Sequence, residues 1–141
     1  MKVEDILKTK GSNIYAVLPD TNVYDALKIM GEKNIGALMV MEEDQLKGIF
    51  SERDYARKVV LVNRTSRETL ISDIMTTSVI TVAPADSIEH CMELMSKKKI
   101  RHLPVANNGK VTGLISISDV VTAIIQSQKE TILHLENYIH Q

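Results

Sequence analysis

Gly48-Ile-Phe-Ser-Glu-Arg-Asp54 and Gly113-Leu-Ile-Ser-Ile-Ser-Asp119 share one pattern: a glycine, two apolar residues, a serine, and an aspartate three residues after the serine. The two segments end a longer internal repeat, because residues 17–54 align without a gap with residues 82–119 at an offset of 65 positions. Ten of the aligned positions are identical. A repeat of this length predicts two structural units of one fold.

The apolar pattern in each copy predicts the order β-α-β-β-α, and therefore an α+β fold. Val23, Ala26, Leu27 and Met30 repeat at helical spacing, and Asn107-Asn-Gly109 predicts a hairpin turn. We predict strands at residues 14–18, 37–41 and 46–50 with helices at 23–30 and 52–62, and in the second copy strands at 79–82, 103–105 and 111–117 with helices at 88–95 and 119–138. A short segment, residues 3–7, recurs as residues 71–75 before the second copy. We divide the chain into units at residues 1–65 and 66–141, the second with an extended C-terminal helix.

Composition and charge argue against several classes of protein. The net charge of −1 provides no general attraction to nucleic acid or to an anionic membrane. No apolar run approaches the roughly 20 residues that a membrane-spanning helix needs, and the first residues do not resemble a signal peptide. The single cysteine, Cys91, excludes an internal disulfide. We therefore expect a cytoplasmic protein with no nucleic-acid or membrane partner.

The repeated motif runs from a strand into the first turn of a helix. A helix N-terminus offers free N–H groups and a positive partial charge, which attract phosphate. The serine hydroxyl can bind a ligand, and the aspartate can accept hydrogen bonds from a ribose diol. The alternative is that serine and aspartate only cap the helix. Two copies at equivalent positions favour a ligand site.

The chain resembles the CBS domain, the cystathionine β-synthase-type regulatory module. The resemblance rests on the repeat order, both motifs, the segment Ile71-Ser-Asp-Ile-Met75 and the segment Arg101-His-Leu-Pro-Val105, and it covers nearly the whole chain. The segment that starts at Gly48 is similar to small stand-alone CBS-pair proteins of bacteria and organelles. Two CBS units form a Bateman module, in which the resemblance implies a pseudo-twofold arrangement packed sheet to sheet.

The resemblance also implies ligand sites in two clefts between the units, which in this family bind AMP, ADP, ATP, NAD(H) or, as a lower-ranked choice here, S-adenosylmethionine. One cleft would combine Ser51, Arg53 and Asp54 with Ile80, Thr81, Arg101 and His102. The other would combine Ser116, Ser118 and Asp119 with Tyr15, Val17, Ile35, Gly36 and Ala37. The aspartates would hold ribose hydroxyls, and the strand residues would enclose the adenine.

The two copies differ in positive charge. Ser118 replaces Arg53, and Gly36 replaces Arg101, at equivalent positions of the repeat. Arginine is well suited to phosphate because its donors form a planar fork. We therefore predict that the two sites differ in affinity and that the one with Asp54 is better suited to phosphate.

An enzyme is not predicted, because the four histidines and the cysteine show no metal-ligand spacing and neither motif serine has an evident base. The function predicted is a nucleotide sensor that regulates an unidentified protein in trans. The alternative is a structural interaction adaptor with no nucleotide. Apolar residues along the final helix suggest a packing partner such as a second subunit, and the alternative is that this helix packs back on its own domain. The family resemblance implies a homodimer.

Overall fold

In the computed structural model, residues 1–140 are described, and they form two compact units. One unit comprises residues 13–80, and the other joins residues 1–12 to the segment that begins at Thr81. In chain order the elements are α1 (Val3–Lys10), β1 (Ala16–Val17), α2 (Val23–Lys33), β2 (Ala37–Glu42), β3 (Gln45–Ser51), α3 (Glu52–Lys58), a 3₁₀ turn (Val60–Val62), α4 (Ile71–Ile74), α5 (Ile88–Lys98), β4 (His102–Asn107), β5 (Lys110–Ser116) and α6 (Ile117–Ile139). The predicted α+β class is confirmed.

The unit of residues 13–80 is built on a three-stranded sheet in the order β1-β2-β3. Strand β2 lies in the middle, parallel to β1 and antiparallel to β3, which explains why its first four residues are all buried. Apolar residues from the sheet, the helices and the following segment make one core: Val17, Val23, Ala26, Met30, Leu38, Val40, Phe50, Val59, Ile71 and Ile74. The helical spacing in α2 therefore identified core residues correctly.

The hairpins β2–β3 and β4–β5 turn in the same way. Both central residues of each turn have positive φ, at 51° and 63° for Glu43 and Asp44 and at 53° and 81° for Asn108 and Gly109. This backbone matches the twist of the flanking strands and is favourable for Asn-Gly, which predicted the second turn. The first turn forces a glutamate into the left-handed region, so its sequence signal was weaker.

A short helix precedes each copy of the repeat, and it packs in the unit formed by the other copy. In one unit, Ile71 N–H donates to the carbonyl of Thr21 at 2.8 Å. In the other, Val3 N–H donates to the carbonyl of Asp86 at 2.9 Å. Thus α4 packs in the unit of the first copy and α1 in the unit of the second. The division at residue 65, predicted from the sequence, separates the two copies of the repeat. The compact units of the structure are divided differently, because these backbone hydrogen bonds join each short helix to the unit of the other copy.

Two predicted elements differ in the structure. The helix expected at residues 52–62 ends at Lys58 and continues as the 3₁₀ turn, because Val59 is buried and the valine-rich run has a low helix propensity. The strand expected at residues 79–82 contributes only one bridge, between Val82 and Val105. A segment that pairs through one residue is too short to show the alternating apolar pattern from which strand ends are predicted.

Candidate functional site

The first motif ends β3 and begins α3 through a reciprocal pair of hydrogen bonds. The Asp54 amide donates to Oγ of Ser51 at 3.2 Å, and the Ser51 amide donates to Oδ2 of Asp54 at 3.0 Å. The serine is the N-cap and the aspartate is the third helical residue, which is a capping box. The spacing of the two residues in the motif follows from this geometry.

The second motif makes the same capping box at the start of α6. The Asp119 amide donates to Oγ of Ser116 at 3.3 Å, and the Ser116 amide donates to Oδ2 of Asp119 at 2.8 Å. Helix capping, the alternative considered from the sequence, is therefore a real role of both motifs. A carboxylate has about four acceptor positions, so capping does not exhaust its capacity to bind a further group.

The hairpin register brings the start of β2 beside the first motif. Ala37 pairs with Ser51 across the hairpin, and the Glu52 amide donates to the carbonyl of Gly36 at 3.1 Å. An open pocket of about 420 Å³ lies in this unit, lined by Leu27, Met30, Gly31, Asn34, Ile35, Gly36 and Glu52. Predicted site residues from the α2–β2 connection therefore lie next to the motif of their own copy.

The second unit repeats this relationship with different side chains. His102 pairs with Ser116, and the Ile117 amide donates to the carbonyl of Arg101 at 2.8 Å. His102 is half-buried and Arg101 is exposed. The sequence grouped each motif with strand residues of the other copy. That grouping stays a prediction, while the neighbours observed within each unit come from the same copy.

Each motif aspartate also contacts a lysine that the sequence analysis did not identify. In the first motif Nζ of Lys58 lies 3.1 Å from Oδ1 of Asp54, and in the second Nζ of Lys10 lies 2.6 Å from Oδ2 of Asp119. The first pair could have been found, because the residues are four apart on one helix. Lys10 is on α1, far away in the sequence, and no local pattern indicates its contact.

The electrostatic environment of the second motif shifts two pKa values. Burial of Asp119 would raise its pKa, but hydrogen bonds from Lys10 and from the Ser116 amide outweigh that effect, and the pKa lies below its ordinary value. Burial lowers the pKa of His102, and the positive charge of Lys10 lowers it further against the opposing effect of Asp119. The structure thus favours an ionised Asp119 beside a neutral His102.

The motif glycines are required by close packing, which the sequence analysis did not deduce. A Cβ on Gly48 would lie 2.7 Å from Sδ of Met75 and 2.8 Å from the backbone oxygen of Thr76. A Cβ on Gly113 would lie 2.8 Å from Cδ2 of Leu7. The glycine of each motif therefore allows a short helix to approach the hairpin closely: the end of α4 at Gly48 and α1 at Gly113.

The remaining predicted site residues have diverse environments. Val17 is buried in β1, whereas Tyr15 is half-buried with Nζ of Lys33 at 5.4 Å from its ring centre. Ile80 is half-buried and Thr81 is exposed. Arg53 and Ser118 are exposed in the first turns of α3 and α6, and Oγ of Ser118 lies 3.0 Å from Oγ of Ser116.

The described residues lack the features of two other kinds of site. Within residues 1–140, no group of three or more histidine, cysteine, aspartate or glutamate side chains is arranged to hold a metal ion. Among the described helices, none combines the length and apolar character needed to cross a membrane.

Comparison with protein families decides the assignment suggested by the repeat. The family model for the CBS domain matches twice, at residues 3–61 and 71–126. The chain belongs to the CBS domain family. Among curated CBS proteins, it is 39% identical over 147 residues to the mitochondrial CBS domain-containing protein CBSX3 of Arabidopsis thaliana, covering 97% of this chain and 71% of that protein.

Solved CBS structures agree with the fold. A putative signal-transduction protein with CBS domains from Burkholderia ambifaria is 49% identical, with a TM-score of 0.87 and coverage of 91% of this chain and 96% of that one. The CBS domain pair of protein MJ0100 is 26% identical, with a TM-score of 0.78 and coverage of 90% and 98%. That pair was solved in complex with 5′-methylthioadenosine and S-adenosyl-L-methionine. A CBS pair related to this chain thus binds adenosine-containing molecules.

Proposed function

We propose that this chain is a regulatory module that senses an adenosine-containing nucleotide through its two motifs. The observation that supports this most directly is the duplicated junction, in which a half-buried carboxylate is fixed at a helix N-terminus beside the first residue of β2 or β4. The adenosine compounds bound by the MJ0100 pair support the same ligand class.

The proposed contacts follow from chemistry. Asp54 and Asp119 accept hydrogen bonds from the two ribose hydroxyls. At Asp54 the ribose replaces the contacts that Oδ1 makes with Oγ1 of Thr76 at 3.4 Å and with Nζ of Lys58 at 3.1 Å, whereas the capping bond to Oδ2 is kept. The first turns of α3 and α6 offer N–H groups and positive partial charge to a phosphate. The base is proposed to lie against residues at or near the starts of strands: Ile80 and Thr81 for the motif of Asp54, and Tyr15, Val17, Ile35, Gly36 and Ala37 for the motif of Asp119. Arg101 and His102 are proposed to face the phosphate of the ligand held by Asp54.

The ligand we favour is AMP, ADP, ATP or NAD(H). Arg53 and Arg101 are exposed and carry the planar donors that bind phosphate well. S-adenosylmethionine has the same adenosine group but no phosphate, so it has no anion for these two arginines to bind. We accordingly rank it lower, although it is one of the molecules bound by the MJ0100 pair.

The output of the module is proposed to be regulation of a partner protein in trans, without catalysis by this chain. Ligand binding can shift a module between two arrangements only by the difference in its affinity for them. The module is proposed to act as a homodimer in the cytoplasm. No feature of the described residues identifies the regulated protein.

The experiment that tests the proposal measures thermal unfolding of the purified protein with AMP, ADP, ATP, NAD, NADH, S-adenosylmethionine and adenosine. A ligand at about 100 times its dissociation constant stabilises the native state by about 2.7 kcal/mol. For a chain of this size, that is a rise of several degrees. We expect such a rise for at least one adenine nucleotide.

Variants connect that binding to the motifs. Asp54→Ala and Asp119→Ala should each weaken the bound nucleotide in a calorimetric titration. Asp5→Ala is the matched control, because Asp5 makes the same capping bond to the backbone of Lys2 at 2.8 Å but lies outside the motifs. No response to any compound would favour the structural adaptor. Binding that both motif variants retain would refute the proposed site.

A further inference from the structure

Helix α6 has one half that packs on its own unit and one half that does not. Val120 and Ala123 are buried near its start, and Ile124 and Ser127 are half-buried. Every residue from Gln128 to the end of the helix at Ile139 is exposed. At 1.5 Å per residue, this second half extends for about 18 Å without contacts that bury its side chains.

The exposed side of α6 has an apolar stripe with alternating spacings of four and three residues. The stripe consists of Val121, Ile125, Gln128, Ile132, Leu135 and Ile139. Its apolar members in the second half are strongly exposed, with Ile132 at 55%, Leu135 at 54% and Ile139 at 74%. Successive helical residues are about 100° apart, so the stripe lies roughly 100° around the helix from the face that packs on α5.

We propose that this stripe pairs with the same stripe of a second copy of the chain, as a short parallel two-stranded coiled coil. In the seven-residue repeat of a coiled coil, the a positions are Ile125, Ile132 and Ile139, and the d positions are Val121, Gln128 and Leu135. Isoleucine at a favours two parallel strands when leucine is at d, and here all three a residues are isoleucine and one d residue, Leu135, is leucine. The inference concerns α6 alone and does not depend on nucleotide binding.

The single polar member of the stripe supports the parallel orientation. In a parallel pair, Gln128 faces Gln128 of the other copy, and the two amides can hydrogen-bond to each other. In an antiparallel pair that layers Ile132 on Leu135, Gln128 would face Ile139 and would be buried without a polar partner. Polar residues at core positions of coiled coils fix the register in this way.

The flanking residues are compatible with the parallel pair. The e positions are Thr122, Lys129 and Glu136, and the g positions are Ile124, Thr131 and Tyr138. In a parallel pair each e residue faces a g residue of the partner, so neither charge meets a like charge. The paired segment is short, and short helices are marginal alone, so we expect association in the micromolar range.

Disulfide formation by the full chain tests the pairing directly. In a Cys91→Ala background, Gln128→Cys should form a covalent dimer under mild oxidation, because the same d position of both strands lies at the interface. Glu130→Cys, at the outer f position, is the matched control and should remain largely monomeric. Equal cross-linking of the two variants, or none, would overturn the parallel coiled coil.

Sedimentation equilibrium tests the stripe by a second measure. We expect Ile132→Glu to weaken self-association at least tenfold. Leu133→Glu should leave it unchanged, because Leu133 is similarly exposed, at 59%, but lies on another face of the helix. Circular dichroism should show both variants folded. A wild-type monomer at high micromolar concentration, or equal association of all three proteins, would contradict the proposal and direct attention to a different protein as occupant of the stripe.

Discussion

Nζ of Lys10 lies 2.6 Å from Oδ2 of Asp119, although the two residues are 109 positions apart in the chain. The same ammonium donates to the carbonyl of Leu114 at 2.8 Å. At the equivalent aspartate of the first copy, Asp54, the cation is Lys58 of the same helix. Both copies therefore place a lysine on the motif carboxylate, but from unrelated parts of the sequence.

Replacing Lys10 tests how far it controls Asp119. Lys10→Met keeps the length of the side chain and removes its charge, so the pKa of Asp119 should rise. Because the Lys10 side chain is 41% exposed, solvent screens the pair, and we expect a loss of only about 0.5 kcal/mol in the free energy of unfolding. Carbon-detected NMR titration of Asp119 and chemical denaturation measure the two effects.

The pH dependence of this pair has a defined sign. Because the folded-state pKa of Asp119 is lowered, its stabilisation is complete above the ordinary value of 3.8 and is lost as pH falls through the folded-state pKa. Lys10→Met should therefore lose less stability on acidification than the wild type. Lys8→Met, on the same helix, is the control. An Asp119 titration that is the same in both variants would rule out the role assigned to Lys10.

The two motif glycines should differ in their tolerance of a methyl group. Gly48→Ala places Cβ 2.8 Å from the backbone oxygen of Thr76, which cannot move without shifting the chain. For Gly113→Ala the three nearest atoms all belong to the side chain of Leu7, with Cδ2 at 2.8 Å, Cδ1 at 3.2 Å and Cγ at 3.6 Å, and this side chain can move. We expect costs of about 2–3 kcal/mol for Gly48→Ala and about 1 kcal/mol for Gly113→Ala, measured by chemical denaturation.

A third glycine provides the control for that comparison. Gly31 is in the interior of α2, and a Cβ there would meet nothing within 4 Å. Gly31→Ala should leave stability unchanged or raise it by up to about 1 kcal/mol, because alanine favours the helix. If Gly113→Ala proved as costly as Gly48→Ala, the distinction between a backbone neighbour and a side-chain neighbour would be wrong.

His102 should make the protein less stable below neutral pH. Burial lowers the pKa of His102 below 6.5, so the unfolded chain binds a proton that the folded chain resists. The stabilisation from neutral His102 is complete above 6.5 and declines as pH falls toward the folded-state pKa. His102→Ala, which installs the residue found at the equivalent position 37, should flatten thermal stability between about pH 5 and about pH 7.5.

Exposed histidine provides the comparison for this test. His134 is exposed on α6, so His134→Ala should keep the wild-type pH profile. Equal flattening in the two variants would show that burial of His102 is not the cause.

The unequal charges of the motifs predict unequal ligand preferences. Arg53→Ala should weaken binding of AMP by about 10- to 150-fold and leave binding of adenosine unchanged, because a charge-assisted hydrogen bond contributes about 1.5–3 kcal/mol. Ser118→Ala, at the equivalent position of the second motif, removes no charge and should weaken AMP binding less than Arg53→Ala does. Calorimetric titration distinguishes the ligands, and an equal loss for AMP and adenosine would mean that Arg53 does not bind phosphate.

Sequence reasoning was most successful where a signal is local and periodic. The spacing of Val23, Ala26 and Met30 predicted the buried side of α2, and Asn108-Gly109 predicted a hairpin turn. It was least successful at residues 59–62, where burial of Val59 competes with helix continuation. It also gave no reason for the motif glycines, because their close neighbours are Leu7 and the segment at Met75.

By itself the sequence determined the repeat, the α+β elements, the strand-to-helix motifs and the CBS family, because each depends on residues close together in the chain. Only the tertiary structure decided that α1 packs with the second copy, that Gly48 lies against Thr76, and that Lys10 forms an ion pair with Asp119. Those relationships depend on backbone hydrogen bonds and packing between distant segments. A local pattern of residue types does not encode which distant partner satisfies a given donor, acceptor or apolar face.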